Sequence, residues 1–122
     1  MKNIFDGLRN SVEGEVLTDN YSLGMYATDA SIYQISPLAV VLPKNAEDVK
    51  KAIAVAYENK ITILPRGAGT SLAGQTVGES MILDFSKHMN SLLEINESEK
   101  WVRVQPGMVR DDLNEVLKQI QE

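Results

Sequence analysis

Three short apolar runs, separated by polar or glycine-containing segments, dominate the middle of this 122-residue chain. They cover residues 37–43, 61–64 and 80–84, and prolines stand at both ends of the first run. Apolar runs of about four to eight residues between turn-forming residues are typical of buried β-strands. The pattern therefore predicts three buried strands at these positions.

Between the first two runs, apolar residues recur at the spacing of an α-helix. These residues are Val49, Ala52, Ile53 and Ala56. Asn45 is a suitable N-cap for this helix, and the carboxylates of Glu47 and Asp48 suit the positive end of a helix dipole. We expect the helix to end near Asn59.

The hydrophobic pattern of the N-terminal residues is weaker. Residues 1–20 include a short candidate helix marked by Ile4, Phe5 and Leu8. Residues 21–36 have no clean hydrophobic period, so we expect an extended lead-in there.

The C-terminal third predicts a β-hairpin followed by a helix. Residues 92–95 and 101–105 flank a polar turn at residues 96–100, which is typical of a hairpin. Pro106-Gly107 interrupts the chain after the second strand. The amphipathic helix beyond it is marked by Val109, Leu113, Val116, Leu117 and Ile120.

The order of these elements predicts an α/β (α+β) fold with a small mixed sheet. A strand, a helix and a second strand follow one another from residue 37 to residue 64, which indicates a βαβ unit with a parallel strand pair. The predicted hairpin adds an antiparallel pair.

The amino-acid composition excludes several classes of function. The net charge is −5 and the basic residues are scattered, which argues against a nucleic-acid phosphate backbone as the partner. The chain has no cysteine, so disulfides and thiol chemistry are excluded. No apolar run approaches the length of a membrane span, and the first residues lack the apolar core of a signal peptide. We therefore expect a cytoplasmic protein.

The segment at residues 65–75 is the strongest functional signal. It follows an apolar run and contains Gly67, Gly69 and Gly74, together with Arg66 and the hydroxyls of Thr70 and Ser71. Glycines allow backbone N–H groups to turn toward a ligand, and successive N–H groups form an anion-binding concavity. The loop therefore suits a phosphate or pyrophosphate.

Two well-known phosphate loops do not match it. The dinucleotide fingerprint fails because Leu72 stands at the third glycine position. The triphosphate loop fails because Gln75 replaces the lysine that reaches the β- and γ-phosphates. Glycine spacing alone leaves two interpretations: a pyrophosphate cradle without a lysine, and a surface loop whose glycines only serve a tight turn.

Other polar or aromatic residues have ordinary structural explanations. His88 is the only histidine, and metal ligands come in sets, so we expect a structural role for it. Asp84 follows an apolar strand and is expected to cap the next turn. The spacing of Asp111, Asp112 and Glu115 suits the start of a helix and not a metal cluster. Trp101 is expected to pack against the core or to cover a sheet edge. We assign no catalytic residue and no metal ligand.

Several segments resemble the FAD-binding domain of the vanillyl-alcohol-oxidase/para-cresol-methylhydroxylase flavoprotein superfamily. The resemblance runs from about residue 14 to the end of the chain. Residues 26–33 resemble the glycolate/D-lactate dehydrogenase branch, particularly its long members with a C-terminal iron–sulfur region. The other matching blocks are residues 39–43 with Glu47-Asp48-Val49, residues 65–75, residues 82–90 and residues 104–107.

The resemblance implies the cofactor and its contacts. In that family the loop matching residues 66–71 wraps the FAD pyrophosphate, residues 74–75 continue the cradle, and Pro106-Gly107 lies beside the cofactor. Ala68 stands where the family often has glycine, which is a mild departure. The cofactor-binding residues implied are Pro65, Arg66, Gly67, Ala68, Gly69, Thr70, Ser71, Gly74, Gln75, Pro106 and Gly107.

The resemblance also implies that the chain is the first subdomain of a longer FAD-dependent oxidoreductase acting on a 2-hydroxy acid such as D-lactate, glycolate or D-2-hydroxyglutarate. Residues 1–36 would be the N-terminal lead-in, and residues 37–122 the N-terminal part of the FAD-binding domain. The expected partners are the remaining FAD and substrate domains, the small-molecule acid and an iron–sulfur region downstream.

Because the chain stops within a helical pattern, we expect a fragment, inactive alone, that binds FAD weakly or not at all and can self-associate. The alternatives are another flavin oxidase of the superfamily and a non-enzymatic module that binds a phosphate ligand or a protein.

Overall fold

The computed structural model describes residues 2–31, 33–70, 74 and 77–121. Their elements, in chain order, are α1 (Lys2–Ser11), β1 (Glu15–Leu17), α2 (Asn20–Met25), β2 (Ala39–Leu42), α3 (Ala46–Glu58), β3 (Ile63–Arg66), β4 (Met81–Asp84), β5 (Leu92–Asn96), β6 (Trp101–Val104) and α4 (Arg110–Gln121). The predicted α/β class with a mixed sheet and a hairpin is confirmed.

Four strands form the main sheet in the order β1-β2-β4-β3. Strands β2, β4 and β3 are parallel, and β1 is antiparallel to β2. The crossover from β2 through α3 to β3 is as predicted, but β4 lies between the two strands, so they do not pair directly. All four positions of β4 are buried, whereas those of β3 are partly buried or exposed, so the prediction of a buried strand at residues 61–64 is wrong in its burial. β3 contains Pro65, which cannot donate a hydrogen bond to a neighbouring strand and therefore favours an edge strand.

Both faces of the sheet are covered. On one face, Val41 and Leu83 belong to a core that includes residues from α1 and α3. On the other face, Val40, Leu42 and Ile82 pack against residues from β1, α2 and β3. This burial on both faces explains why the strands read as continuous apolar runs.

Residues from the predicted lead-in contribute to this core. Phe5 and Leu8 of α1 are buried, and β1 is part of the sheet. The extended conformation expected for residues 21–36 is wrong over α2, where the Asp19 carboxylate accepts a hydrogen bond from the Ser22 N–H and caps a six-residue helix. A helix of that length is too short to show a period. The division at residue 36 stays a prediction.

Helix α3 has the predicted ends. The Asn45 side chain accepts a hydrogen bond from the Asp48 N–H at 2.9 Å, and Asn59 caps the C-terminus. The Asp48 side chain is buried and accepts hydrogen bonds from the N–H groups of Glu13, Gly14 and Lys44. This carboxylate therefore joins the start of α3 to the segment before β1.

The hairpin forms a separate two-stranded antiparallel sheet, as predicted, and α4 follows it. The Gly107 N–H donates to the Met89 carbonyl at 2.8 Å, which ties the end of the hairpin to the turn after β4. Within the described residues, no helix has the length and apolar character needed to cross a membrane.

Candidate functional site

The glycine loop begins at the carboxyl end of β3, beside the carboxyl end of β4. Arg66 is in register with Asp84, and the Phe85 N–H donates to the Arg66 carbonyl at 3.1 Å. Ligands of open α/β sheets bind outside the carboxyl ends of the parallel strands. The loop therefore occupies the edge of the sheet where a ligand is expected.

A cleft of about 350 Å³ lies between the start of this loop and the segment after the hairpin. Its walls are Gly67, Ala68, Thr70, Pro106, Gly107, Met108, Val109, Arg110 and Asp111. Five of the predicted cofactor-binding residues thus meet in one cleft, although the two groups are nearly forty residues apart in sequence. Met108 to Asp111 are lining residues that sequence reasoning missed; the only signal was their place directly after Pro106-Gly107.

The loop backbone has the conformation that requires glycine at two positions. Gly69 has φ +70° and Gly74 has φ +73°, in the left-handed region that side chains disfavour. Among the described residues, none lies within 4 Å of a Cβ atom placed on Gly67, so this part of the lining is open at that residue.

The remaining predicted residues lie around the cleft or outside the described part. Pro65 is exposed in β3. The Arg66 guanidinium donates to the Tyr26 carbonyl at 3.2 Å and to the Thr28 carbonyl at 2.7 Å, and it is not among the residues that line the cleft. Ser71 and Gln75 lie outside the described residues.

Close packing requires a residue without a side chain at Gly107. It is buried, and a Cβ atom there would overlap the Phe85 carbonyl oxygen and lie 2.8 Å from the Met89 carbonyl oxygen. Only glycine allows the segment after the hairpin to approach the turn after β4 closely enough to form the second wall of the cleft.

Sequence reasoning also missed the contact between Tyr26 and Asp84. The Tyr26 hydroxyl donates to Asp84 Oδ2 at 2.5 Å. Burial, followed by the hydrogen bond and the charge of Asp84, raises the pKa of Tyr26 well above its usual range, so the phenol is protonated. Asp84 Oδ1 accepts from the Ser86 N–H and hydroxyl, which confirms that this aspartate caps the turn. No local pattern pairs two residues so far apart in sequence.

His88 contacts a surface carboxylate, and Trp101 lines a groove beside the hairpin. His88 Nε2 lies 3.0 Å from Glu15 Oε2, and Lys87 also contacts this carboxylate. Hydrogen bonds from Lys87 and then His88 lower the pKa of Glu15. Trp101 lines a groove of about 660 Å³ between the hairpin and α4, together with Ile95 and Leu117. Among the described residues, no group of three histidines or carboxylates is placed to hold a metal ion.

The cleft suits the phosphates of a cofactor. One wall is a glycine-rich turn with a threonine hydroxyl, and the other leads into the N-terminus of α4, which favours negative charge. Arg110 adds a cation to the lining, and Asp111 adds an anion. A pyrophosphate suits these donors, and the described part of the lining contains no histidine, cysteine or serine.

Comparison with known proteins shows the family of this chain. Residues 37–121 match the family model described as an FAD binding domain. The D-2-hydroxyglutarate dehydrogenase of Pseudomonas putida is 43% identical over 117 residues, which cover 93% of this chain and 12% of that protein. The glycolate oxidase subunit GlcD of Bacillus subtilis is 37% identical over 91 residues, which cover 73% of this chain and 19% of that subunit. The chain thus spans about an eighth to a fifth of the length of these relatives.

Solved structures share the fold. An alkyldihydroxyacetonephosphate synthase superposes with a TM-score of 0.84 at 18% identity, over 98% of this chain and 25% of that protein. The 6-hydroxy-D-nicotine oxidase of Arthrobacter nicotinovorans superposes with a TM-score of 0.75 at 26% identity, over 88% of this chain and 24% of the oxidase. The fold is that of the para-cresol-methylhydroxylase type of FAD-binding domain, and this chain belongs to the FAD-binding domain family of flavoproteins.

Proposed function

We propose that the cleft binds the pyrophosphate of FAD. The observation that carries this proposal is the meeting of Gly67, Ala68 and Thr70 with Pro106 and Gly107 at the carboxyl edge of the sheet. Loop backbone and the Thr70 hydroxyl would hold the phosphate oxygens, and Gly69 would set the turn. The contacts of Pro65, Arg66, Ser71, Gly74 and Gln75 with the cofactor stay predictions from the sequence.

We further propose that the full-length protein oxidises a 2-hydroxy acid, such as D-2-hydroxyglutarate, D-lactate or glycolate. The support is the similarity to dehydrogenases and oxidases that are named for these acids. When bound, FAD supplies the hydride acceptor, while this domain supplies binding and orientation. We assign no catalytic role to the described residues of this domain.

The groove lined by Trp101 and Leu117 gives this domain an uncovered apolar surface. Leu93, Val104, Val109 and Ile120 are further exposed apolar residues of the hairpin and the segment after it. Apolar surface of this kind marks a contact with another domain or protein. We propose that the remaining FAD and substrate domains cover it, and that the 122-residue chain self-associates when they are missing. The iron–sulfur region and the cytoplasmic location stay predictions from the sequence.

The test is flavin content and flavin reduction in the full-length protein. We expect about one FAD per chain, and anaerobic addition of one of these 2-hydroxy acids should bleach the flavin absorbance. The L-enantiomers of the chiral acids are the matched controls. Protein without flavin would contradict the binding proposal, whereas bound flavin that none of these acids reduces would contradict the proposed substrate class and favour another flavin oxidase of the superfamily.

A further inference from the structure

The segment formed by residues 26–31 and 33, here named the strap, touches the glycine loop at three separate points. Its first contact is to Arg66, whose guanidinium donates to the carbonyls of Tyr26 and Thr28 and lies 5.1 Å from the Tyr26 ring centre. Its second contact is a hydrogen bond of 3.0 Å from the Ala30 N–H to the Gly69 carbonyl. The third is at Gly74, where a Cβ atom would lie 2.5 Å from the Tyr33 ring.

The strap is attached to the end of β4 through Tyr26. Tyr26 follows the last residue of α2, and its hydroxyl binds Asp84, which is only 5% exposed at the end of β4. Ala27, the next residue, is buried. The strap thus starts from a fixed point on the same strand edge that carries the glycine loop.

Hydrogen bonds also hold the strap to the residues that follow it. The Ile35 N–H donates to the Ala27 carbonyl at 2.8 Å, and Thr28 pairs with Gln34 in an isolated antiparallel bridge. The Asp29 carboxylate accepts from the Ser31 N–H at 2.8 Å. These bonds make the strap a defined loop, so it can impose a conformation on the glycine loop that it contacts.

A glycine-rich loop needs such support because glycine loses more backbone entropy on ordering than any other residue. If the loop is ordered before the ligand arrives, this cost is not subtracted from the binding free energy. The two loop positions with positive φ, Gly69 and Gly74, are also two of the three places where the strap makes contact.

We propose that Tyr26, Arg66 and Asp84 are positioning residues that hold the glycine loop in its pyrophosphate-binding conformation through the strap. In this arrangement Arg66 acts through the carbonyls of the strap and not as a direct counter-charge for the anion. The inference rests on the proposed FAD site, and it assigns the strap a role that neither the family match nor the relatives' names supply.

The test uses the full-length apoprotein and four variants. Tyr26→Phe removes the hydroxyl and keeps the ring, Arg66→Met removes the fork of donors, and Arg66→Lys keeps the charge. Tyr57→Phe is the matched control because Tyr57 is 85% exposed on α3, away from the loop. The measurements are the FAD dissociation constant, its salt dependence, and amide hydrogen exchange of residues 67–70 without cofactor.

Positioning predicts that Tyr26→Phe, Arg66→Met and Arg66→Lys each weaken FAD binding about tenfold, and that residues 67–70 exchange faster while circular dichroism stays native. The salt dependence should match wild type, because no charge at the anion is lost. Tyr57→Phe should behave as wild type.

Direct charge recognition predicts the opposite pattern. Arg66→Lys would then bind nearly as well as wild type, Arg66→Met would flatten the salt dependence, and exchange of residues 67–70 would not change. That pattern, or unchanged exchange in Tyr26→Phe, would overturn the inference. Exchange is measured without FAD, so a wild-type protein that fails to bind FAD would refute the proposed function while the role of the strap is still decided.

Discussion

At the residue scale, glycines of this chain serve two different physical purposes. Gly69 provides a backbone conformation with positive φ in the loop, whereas Gly107 provides the absence of a side chain where two backbones meet. Both were expected near the cofactor, but the sequence does not reveal that Gly107 is packed between the carbonyls of Phe85 and Met89.

Replacing Gly107 by alanine should therefore destabilise the fold. The new methyl group would overlap the Phe85 carbonyl, so the backbone must move at a cost of roughly 2–3 kcal/mol in the free energy of unfolding. Urea denaturation followed by circular dichroism measures this change. Gly67→Ala is the control, because its methyl group meets open space and should change stability little. Equal stability of the two variants would show that the close approach at Gly107 does not exist.

At the element scale, a buried carboxylate connects the start of α3 to the segment between α1 and β1. Asp48 in the first turn of α3 accepts three backbone N–H groups, two of them from the segment before β1. Desolvation raises the pKa of this carboxyl, but the hydrogen bonds from Lys44, Glu13 and Gly14 together outweigh it and lower the pKa below 3.8. The sequence predicted only the favourable helix position of Asp48.

Asp48→Asn should lower the free energy of unfolding by roughly 2–4 kcal/mol at neutral pH, because an amide cannot accept all three hydrogen bonds. A lowered folded-state pKa means that the carboxylate stabilises the fold above about pH 4, and that this contribution is lost as the pH falls through the folded value. Denaturation of both proteins from pH 7 to pH 3 measures the difference. We expect the gap to be constant above about pH 5 and to narrow below pH 4; a gap that widens on acidification would contradict this assignment.

At the scale of the whole molecule, the site is assembled from segments far apart in sequence. The hairpin, the helices other than α2 and the strands other than β1 were predictable because each leaves a local pattern, and the glycine loop was predictable from its composition. The strand order was not predictable. Pro65 favours an edge position for β3, but the sequence does not show that the fully buried β4 takes the inner position. The contacts of Tyr26 with Arg66 and Asp84 link residues forty or more positions apart, and no period or motif marks them.

The 122-residue chain alone should bind FAD weakly. Its cleft of about 350 Å³ lies at the small end of ligand pockets, which bury most of a ligand's surface in a full binding site. A titration followed by flavin fluorescence should give a dissociation constant above about 1 μM, equivalent to a binding free energy weaker than about −8 kcal/mol. A sub-micromolar value would mean that these residues form a complete site by themselves.

We propose above that the loop around Gly69 binds the FAD pyrophosphate. The flavin content of the Gly69→Val variant of the full-length protein tests this proposal most directly. Valine disfavours the φ of +70° at this position, so the turn must change its path and lose the cofactor. We predict folded protein with little or no flavin for Gly69→Val, and about one FAD per chain for the control Ala68→Gly in the same loop. A folded Gly69→Val protein that retains one FAD per chain would contradict the account.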